Sequence, residues 1–335
     1  MKKPLVSICC ITYNQERYIR DALEGFVMQQ ISFPFEIVIS DDCSKDNTRV
    51  IIAEYKAKYP KIFRDVSPKT NLGVIENWKH VHQQAKGEYV AFCEGDDYWT
   101  DPLKVQKQVD FMEAHIKCGL CVTDFRYQMD MNREHLSKPA FASKDTFQPH
   151  TFLEHLKNAG YIGPMTWLYK RSLFMQNIKD YDNITDGTLA LALDLFGSSE
   201  VAYLPDVTAV YRVHSDSAAN PIVAAQKMKY IQGVRKTQCF MANKYGCSNE
   251  IKQKLIFQCY MTDMPLAIEV GDDIYIQNAL NYFEQNGYIM KWFVSSCKEY
   301  ISYKKQYEQV RSSKAYRLGK ILLRPFSWIR RKCQR

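Results

Sequence analysis

The spacing of apolar and polar residues changes period several times along the chain. A short apolar run, Leu5–Ile11, comes first and reads as a buried strand. It has no small-residue cleavage site after it, and Tyr13, Asn14, Gln15, Glu16 and Arg17 follow at once, so it does not read as a leader segment. Glu16–Gln29 then shows helical spacing through Tyr18, Ile19, Ala22, Leu23 and Phe26. The pairing repeats: Phe35–Ser40 is rich in β-formers, and Thr48–Tyr59 is helical and stops before Pro60. Ile62–Val66 is a candidate strand and Val74–Ala85 a helix. Tyr89–Cys93 is a strand, Leu103–His115 a helix with Pro102 at its start, and Gly119–Phe125 a further strand. Strands alternating with helices predict an α/β unit whose parallel sheet is covered on both faces.

The pattern loosens over Asp130–Asn183, which contains Pro139, Pro149 and Pro164. Asp186–Phe196 reads as a helix, and Val201–Tyr203 and Thr208–Val213 as two strands. From about Ala219 onward the spacing is helical. The division this predicts is an α/β domain over 1–218, a helical extension over 219–310 and a tail over 311–335.

In a sheet of this kind ligands bind beyond the carboxyl ends of the strands. Three such ends carry polar clusters. Thr12-Tyr13-Asn14 follows the first strand, and Asp41-Asp42-Cys43-Ser44-Lys45-Asp46-Asn47-Thr48 follows the second. Glu94-Gly95-Asp96-Asp97 follows Tyr89–Cys93. Asp and Asn at such places also serve as turn residues and helix caps, and Asp46 or Asn47 is a natural N-cap for the Thr48 helix. Acidic clusters on neighbouring edges of one sheet ask for more, because converging like charges repel unless a cation or ligand compensates them.

Read in order, Val6–Asn14, Glu36–Thr48, Asn71-Leu72-Gly73 and Gly87–Trp99 resemble the inverting family-two glycosyltransferases of the A-type fold. The resemblance covers about 1–215. It implies a Rossmann-like α/β domain with a mixed central sheet, followed here by the helical extension. It also implies a nucleotide pocket built by the first two strand ends, with Tyr13 and Asn14 at the base. Asp42 would accept the base N3–H, which uracil and thymine offer and cytosine does not. Asn77 would lie near the base or diphosphate; a polar position on a helix is its plainer reading. Glu94, Asp96 and Asp97 stand where the family has its acid-x-Asp motif. Asp96 would contact ribose or metal and Asp97 would ligate Mn²⁺ or Mg²⁺. The family more often has Asp where this chain has Glu94.

The base that takes the acceptor proton would be Asp186, in Thr185-Asp186-Gly187-Thr188. An acid at a helix start is also an N-cap, and the two roles are compatible. The family more often has an aromatic where this chain has Gly187. Asp194, flanked by Leu193 and Leu195, competes for the role and has an equally good structural reading. His214, in Tyr211-Arg212-Val213-His214, matches a late family histidine that completes the metal site or touches the diphosphate, against the usual structural role of a lone histidine after a strand. Gly163-Pro164-Met165-Thr166 falls where the family lines its acceptor pocket.

Charge changes the picture only at the end of the chain. The net charge is +8, yet Arg311–Arg335 alone holds nine basic residues and no acid. The body is therefore near neutral, which excludes a nucleic-acid-binding face on the folded part. In that tail Ala315, Leu318, Ile321, Leu322, Phe326 and Ile329 recur at helical intervals between the basic residues, with Trp328 beside them and Pro325 dividing the run. This is the profile of a helix lying on an anionic leaflet, here the inner face of a cell membrane; a helix packed on its own domain is the plainer alternative. No run approaches the roughly 20 apolar residues of a membrane span. The 11 cysteines show no zinc-like or disulfide spacing, as in a reduced, cytoplasmic protein.

The reaction expected is sugar transfer from a UDP-sugar or dTDP-sugar to a hydroxyl of a glycan or lipid-linked acceptor, in surface polysaccharide synthesis. A nucleotidyltransferase on a related sheet would want a Gly-rich basic phosphate loop after the first strand, and Thr12-Tyr13-Asn14-Gln15 is not one. A non-catalytic nucleotide-sugar binder would not need Asp42, Asp97 and Asp186 together.

Overall fold

The computed structural model describes residues 3–129, 136–141, 151–158, 162–182, 184–214, 223–287 and 302. The tail over 311–335, with its basic amphipathic pattern, lies outside these. The chain divides into two compact units, Met1–Leu255 and Ile256–Arg335.

The first unit is built on one eight-stranded sheet. Its strands are β1 (Val6–Thr12), β2 (Phe35–Asp41), β3 (Phe63–Asp65), β4 (Tyr89–Phe92), β5 (Tyr98–Trp99), β6 (Cys118–Gln128), β7 (Leu168–Lys170) and β8 (Glu200–Arg212). Their order is β3-β2-β1-β4-β7-β6-β8-β5. β3, β2, β1 and β4 are parallel, as the alternating pattern predicts. Beyond β4 the sheet is mixed: β7 runs antiparallel to β4 and β6, β8 is parallel to β6, and β5 antiparallel to β8. β1 is buried along its whole length, as a strand covered on both faces must be.

The two strands expected at 201–203 and 208–213 are one. Register against β6 jumps from Thr123↔Leu204 to Asp124↔Val207, so Pro205 and Asp206 bulge out and the strand continues. A proline is tolerated at such a bulge because it need not donate to the ladder. β5 and β7 were not legible, being two and three residues long.

The helices of this unit are α1 (Ile19–Val27), α2 (Thr48–Lys58), α3 (Val74–Gln84), α4 (Lys104–Ala114), α5 (Phe152–Lys157), α6 (Arg171–Asn177), α7 (Gly187–Ser198) and α8 (Ala224–Lys244). α1 to α4 fall within the spans read from the sequence. α5 begins with a capping box, Thr151 and Glu154 each bonding the other's backbone N–H. α7 is apolar on nearly every side and is buried accordingly. Asp194 on α7 accepts from Tyr181 Oη (2.7 Å), Tyr245 Oη (2.7 Å) and Lys244 Nζ (2.7 Å), a saturated internal role.

α9 (Asn249–Val270) begins in the first unit and ends in the second, which also holds α10 (Asp273–Gln285). There α10 buries Ile276, Ala279, Leu280 and Phe283, with Phe283 against Phe257 at 5.6 Å. Asp272 caps α10 through Tyr275 N (3.0 Å). No helix among the described residues is long and apolar enough to cross a membrane.

Candidate active site

The carboxyl ends of β1, β2 and β4 and the start of α7 meet at one cleft of about 880 Å³. Tyr13, Asp42, Asn77, Glu94, Asp96 and Asp186 all line it.

At the β1–β2 edge the polar groups mostly hold one another. Tyr13 is 44% exposed on the cleft wall, with its ring free for stacking. Asn14 takes the left-handed conformation (φ 53°) that asparagine tolerates. Its backbone N–H donates to Ser44 Oγ (2.8 Å) and its Oδ1 accepts from Lys45 N (2.8 Å), so Asn14 ties two loops together and is not on the cleft wall. Asp41 is buried and closes the same turn through Ser44 N (3.1 Å), the bland role. Asp46, rather than Asn47, bonds the first N–H of α2, at Thr48 (3.0 Å). Asp42, 3% exposed, accepts from Leu72 N (2.7 Å) and Gly73 N (2.9 Å). An ionised carboxylate has about four acceptor sites, so capacity remains for a ligand N–H. Asn77 donates to Ser40 O (3.1 Å) and accepts from Ser40 Oγ (2.5 Å), pinning α3 to the end of β2.

The acidic turn after β4 is held differently. Single carboxylate oxygens of Glu94, Asp96 and Asp97 lie within 4.8 Å of one another. Glu94 and Asp96 face the cleft, while Asp97 is 2% exposed beneath it. Arg212, the last residue of β8, clamps the turn from below. Its backbone N–H donates to Asp97 Oδ1 (2.9 Å), and its guanidinium donates to Asp96 O (2.8 Å) and to the Asp21 carboxylate while lying 4.3 Å over the Tyr98 ring. His214 Nε2 is 3.1 Å from Asp96 Oδ2, and His214 stands outside the three-acid group.

Burial, with the charges of Asp96 and Asp186 nearby, pushes Glu94 up to about 8. Burial and the Asp96 charge hold Asp97 well above the ordinary carboxylate range. Three hard oxygen donors drawn together, two of them (Glu94 and Asp97) made reluctant to ionise by burial and neighbouring charge, are a donor set that suits Mg²⁺ or Mn²⁺.

Asp186 N-caps α7. Its Oδ1 accepts from Leu189 N (2.9 Å) and Thr188 Oγ1 (2.7 Å), and its Oδ2 accepts from Tyr230 Oη (2.7 Å) on α8. Gly187 has a steric cause: a Cβ there would stand 2.7 Å from the Trp78 ring. The Trp78 ring of α3 thus occupies the space a side chain at 187 would need. Gly163 and Pro164 line the far side of the cleft with Phe125, Tyr127 and Trp167.

The family profile described as glycosyl transferase family 2 matches residues 7–177, about half the chain. The chain belongs to this family. Among its relatives is a protein of Mycobacterium tuberculosis, 38% identical over 214 residues, which are 63% of this chain and 59% of that protein. The chain thus matches well under two thirds of this relative's length. A candidate teichuronic acid biosynthesis glycosyltransferase of Bacillus subtilis, TuaG, is 30% identical over 76% of this chain and 98% of its own. Among solved structures, Staphylococcus aureus TarS 1–349 superposes with a TM-score of 0.60 at 20% identity, over 84% of this chain and 80% of that one. Its complex with UDP-GlcNAc gives 0.58 at 19%, over 83% and 79%. At that identity the likeness is one of fold, the A-type glycosyltransferase fold with a mixed sheet.

Two residues beside these acids escape a reading of the sequence. Arg212 stood within a recognised stretch, but nothing in the spacing says that it braces Asp97. Tyr230 lies 44 residues beyond Asp186 in an ordinary helical pattern, with no signal at all.

Proposed function

We propose that this protein is a metal-dependent inverting glycosyltransferase that moves a sugar from a UDP-sugar, or dTDP-sugar, to a hydroxyl of a glycan or lipid-linked acceptor in surface polysaccharide synthesis. The observation that carries the reading is that Asp42, the Glu94–Asp97 turn and Asp186 stand on one cleft or directly beneath it. TarS binding UDP-GlcNAc on the same fold, and TuaG's teichuronic acid assignment, support a uridine donor and a surface glycan.

In this reading Tyr13 stacks on the base and Asp42 accepts its N3–H. Asp97, Asp96 and Glu94 would hold Mn²⁺ or Mg²⁺, with His214 adjoining through Asp96, and the bound cation would offset negative charge on the diphosphate. Arg212 keeps the turn rigid by filling one Asp97 oxygen from its backbone. The acceptor oxygen forms a bond to the anomeric carbon from the face opposite the diphosphate. The bond from that carbon to the diphosphate oxygen breaks with its electron pair on the oxygen. The acceptor proton passes to Asp186, through Oδ2, since Oδ1 is committed to the cap of α7. The basic tail over 311–335 would hold the enzyme on the cytoplasmic leaflet, and deleting 312–335 should move it to the soluble fraction; unchanged partitioning would defeat that part.

The test is incubation with Mn²⁺ and a panel of UDP-sugars. Slow UDP release that stops on chelation supports transfer, with water as acceptor, and NMR of the first-formed sugar should show the inverted anomer. Pyrophosphate exchange would indicate a nucleotidyltransferase instead. Binding without turnover would indicate a non-catalytic binder.

A further inference from the structure

We infer that Tyr230 is a positioning residue for the proton-transfer step: its hydroxyl, brought in by α8, holds Oδ2 of Asp186 in the cleft. This rests on Asp186 as the base. The two oxygens of that carboxylate have different duties. Oδ1 accepts from Leu189 N (2.9 Å) and Thr188 Oγ1 (2.7 Å), all that an N-cap requires. Oδ2 is not needed for the cap, yet it accepts from Tyr230 Oη at 2.7 Å, and both residues line the cleft. A carboxylate oxygen has two in-plane lone pairs. The phenol takes one and leaves one for the acceptor hydroxyl, so the bond fixes the carboxyl rotation without closing it to substrate.

The packing of α8 explains how the phenol arrives there. Gly233, three residues on and therefore on the same helix face, is buried against Thr185, the residue before Asp186. A Cβ at 233 would stand 2.0 Å from Thr185 Oγ1. Glycine inside a helix is destabilising, and its place here lets α8 come close to the loop carrying Asp186. Met228 and Thr237 on the same helix are buried as well. Burial and the Asp186 charge push the Tyr230 phenol up, so it remains a donor at neutral pH. Asp186 and α8 both lie beyond the 7–177 stretch of the family match, so this carboxylate–phenol pair is built by the chain that follows it.

The test uses the UDP-sugar of the panel that wild type hydrolyses fastest with Mn²⁺. Losing one hydrogen bond to a charged group predicts that Tyr230→Phe slows UDP release about 10- to 100-fold. Its KM for the donor and its Kd for UDP with Mn²⁺ should stay within about twofold, as for a residue acting only on Asp186. Placed on Asp186→Asn, Tyr230→Phe should add no further loss. Tyr245→Phe removes the matching phenol–carboxylate bond to Asp194 (2.7 Å) and should leave turnover unchanged. Wild-type turnover in Tyr230→Phe, a proportionate loss of UDP affinity, or multiplying effects in the double variant would each overturn this inference alone. A wild type that releases neither UDP nor dTDP, when the panel is extended to dTDP-sugars, would overturn the proposed function, and this inference with it.

Discussion

The two ends of the cleft are built on opposite principles. At the β1–β2 edge, Asn14, Ser44, Asp41, Asp42 and the Asn71–Gly73 loop satisfy one another with hydrogen bonds. At the β4 edge three carboxylates converge, and the cation that braces their turn through the Asp96 carbonyl, Arg212, is itself paired with Asp21. One end is preformed; the other is left electrostatically incomplete. Polar residues that close on themselves make a scaffold, and those left with like neighbours keep their charge uncompensated.

That contrast can be broken at several points, the largest effect first. Asp186→Asn should cut UDP release by about 10²- to 10⁴-fold, the range of a lost general base, with UDP binding kept; full activity would remove Asp186 from the chemistry. Asp97→Ala should weaken metal-dependent UDP binding beyond the roughly 10- to 100-fold typical of losing a metal ligand's supporting partner; calorimetry with unchanged affinity would clear Asp97 of the ligand role. Asp42→Ala attacks the preformed end and strips two backbone donors, Leu72 and Gly73, of their acceptor. It should cost about 1–3 kcal/mol in chemical denaturation as well as UDP affinity, and a loss of affinity alone would mean that the loop does not depend on Asp42.

A pH-dependent effect sharpens the same contrast inside the core. Lys104 is fully buried, with Nζ donating to Gln108 Oε1 (2.7 Å) and lying 4.4 Å over the Trp99 ring, and burial pushes it down to about 7. The unfolded chain keeps this proton up to the ordinary lysine value of about 10.4. Between about pH 7 and 10 the unfolded state therefore binds more protons, and stability rises with pH. Measured against Lys104→Met, wild type should gain at most ~1.4 kcal/mol per pH unit across that window. A difference independent of pH would mean that Lys104 is not held as a depressed cation. Tyr13→Phe is the smallest change, since the ring remains to stack: UDP affinity should stay within about twofold, and a larger loss would assign the hydroxyl a direct contact.

What was legible in the sequence follows the same division. β1, β2, β4 and α1 to α4 were readable because burial on both faces and amphipathic spacing are local signals. Asp42, Glu94–Asp97 and Asp186 were readable because they sit where strands end and a helix starts. The continuity of β8 was hidden because Pro205 marks a bulge in the same way that it would mark a strand end. The internal duty of Asn14 and the bracing by Arg212 were hidden because each depends on a partner more than 30 residues away. Tyr230 was hidden for that reason too, and because the residue that admits it, Gly233, is a glycine in an otherwise ordinary helix.

The central claim, that the β4 edge becomes complete only with a divalent cation and a nucleotide, is tested most directly by isothermal titration of UDP into the full-length protein with Mn²⁺ and again with EDTA. Binding should be saturable with Mn²⁺ and lost or at least about tenfold weaker without it. Equal UDP affinity under both conditions would contradict the claim.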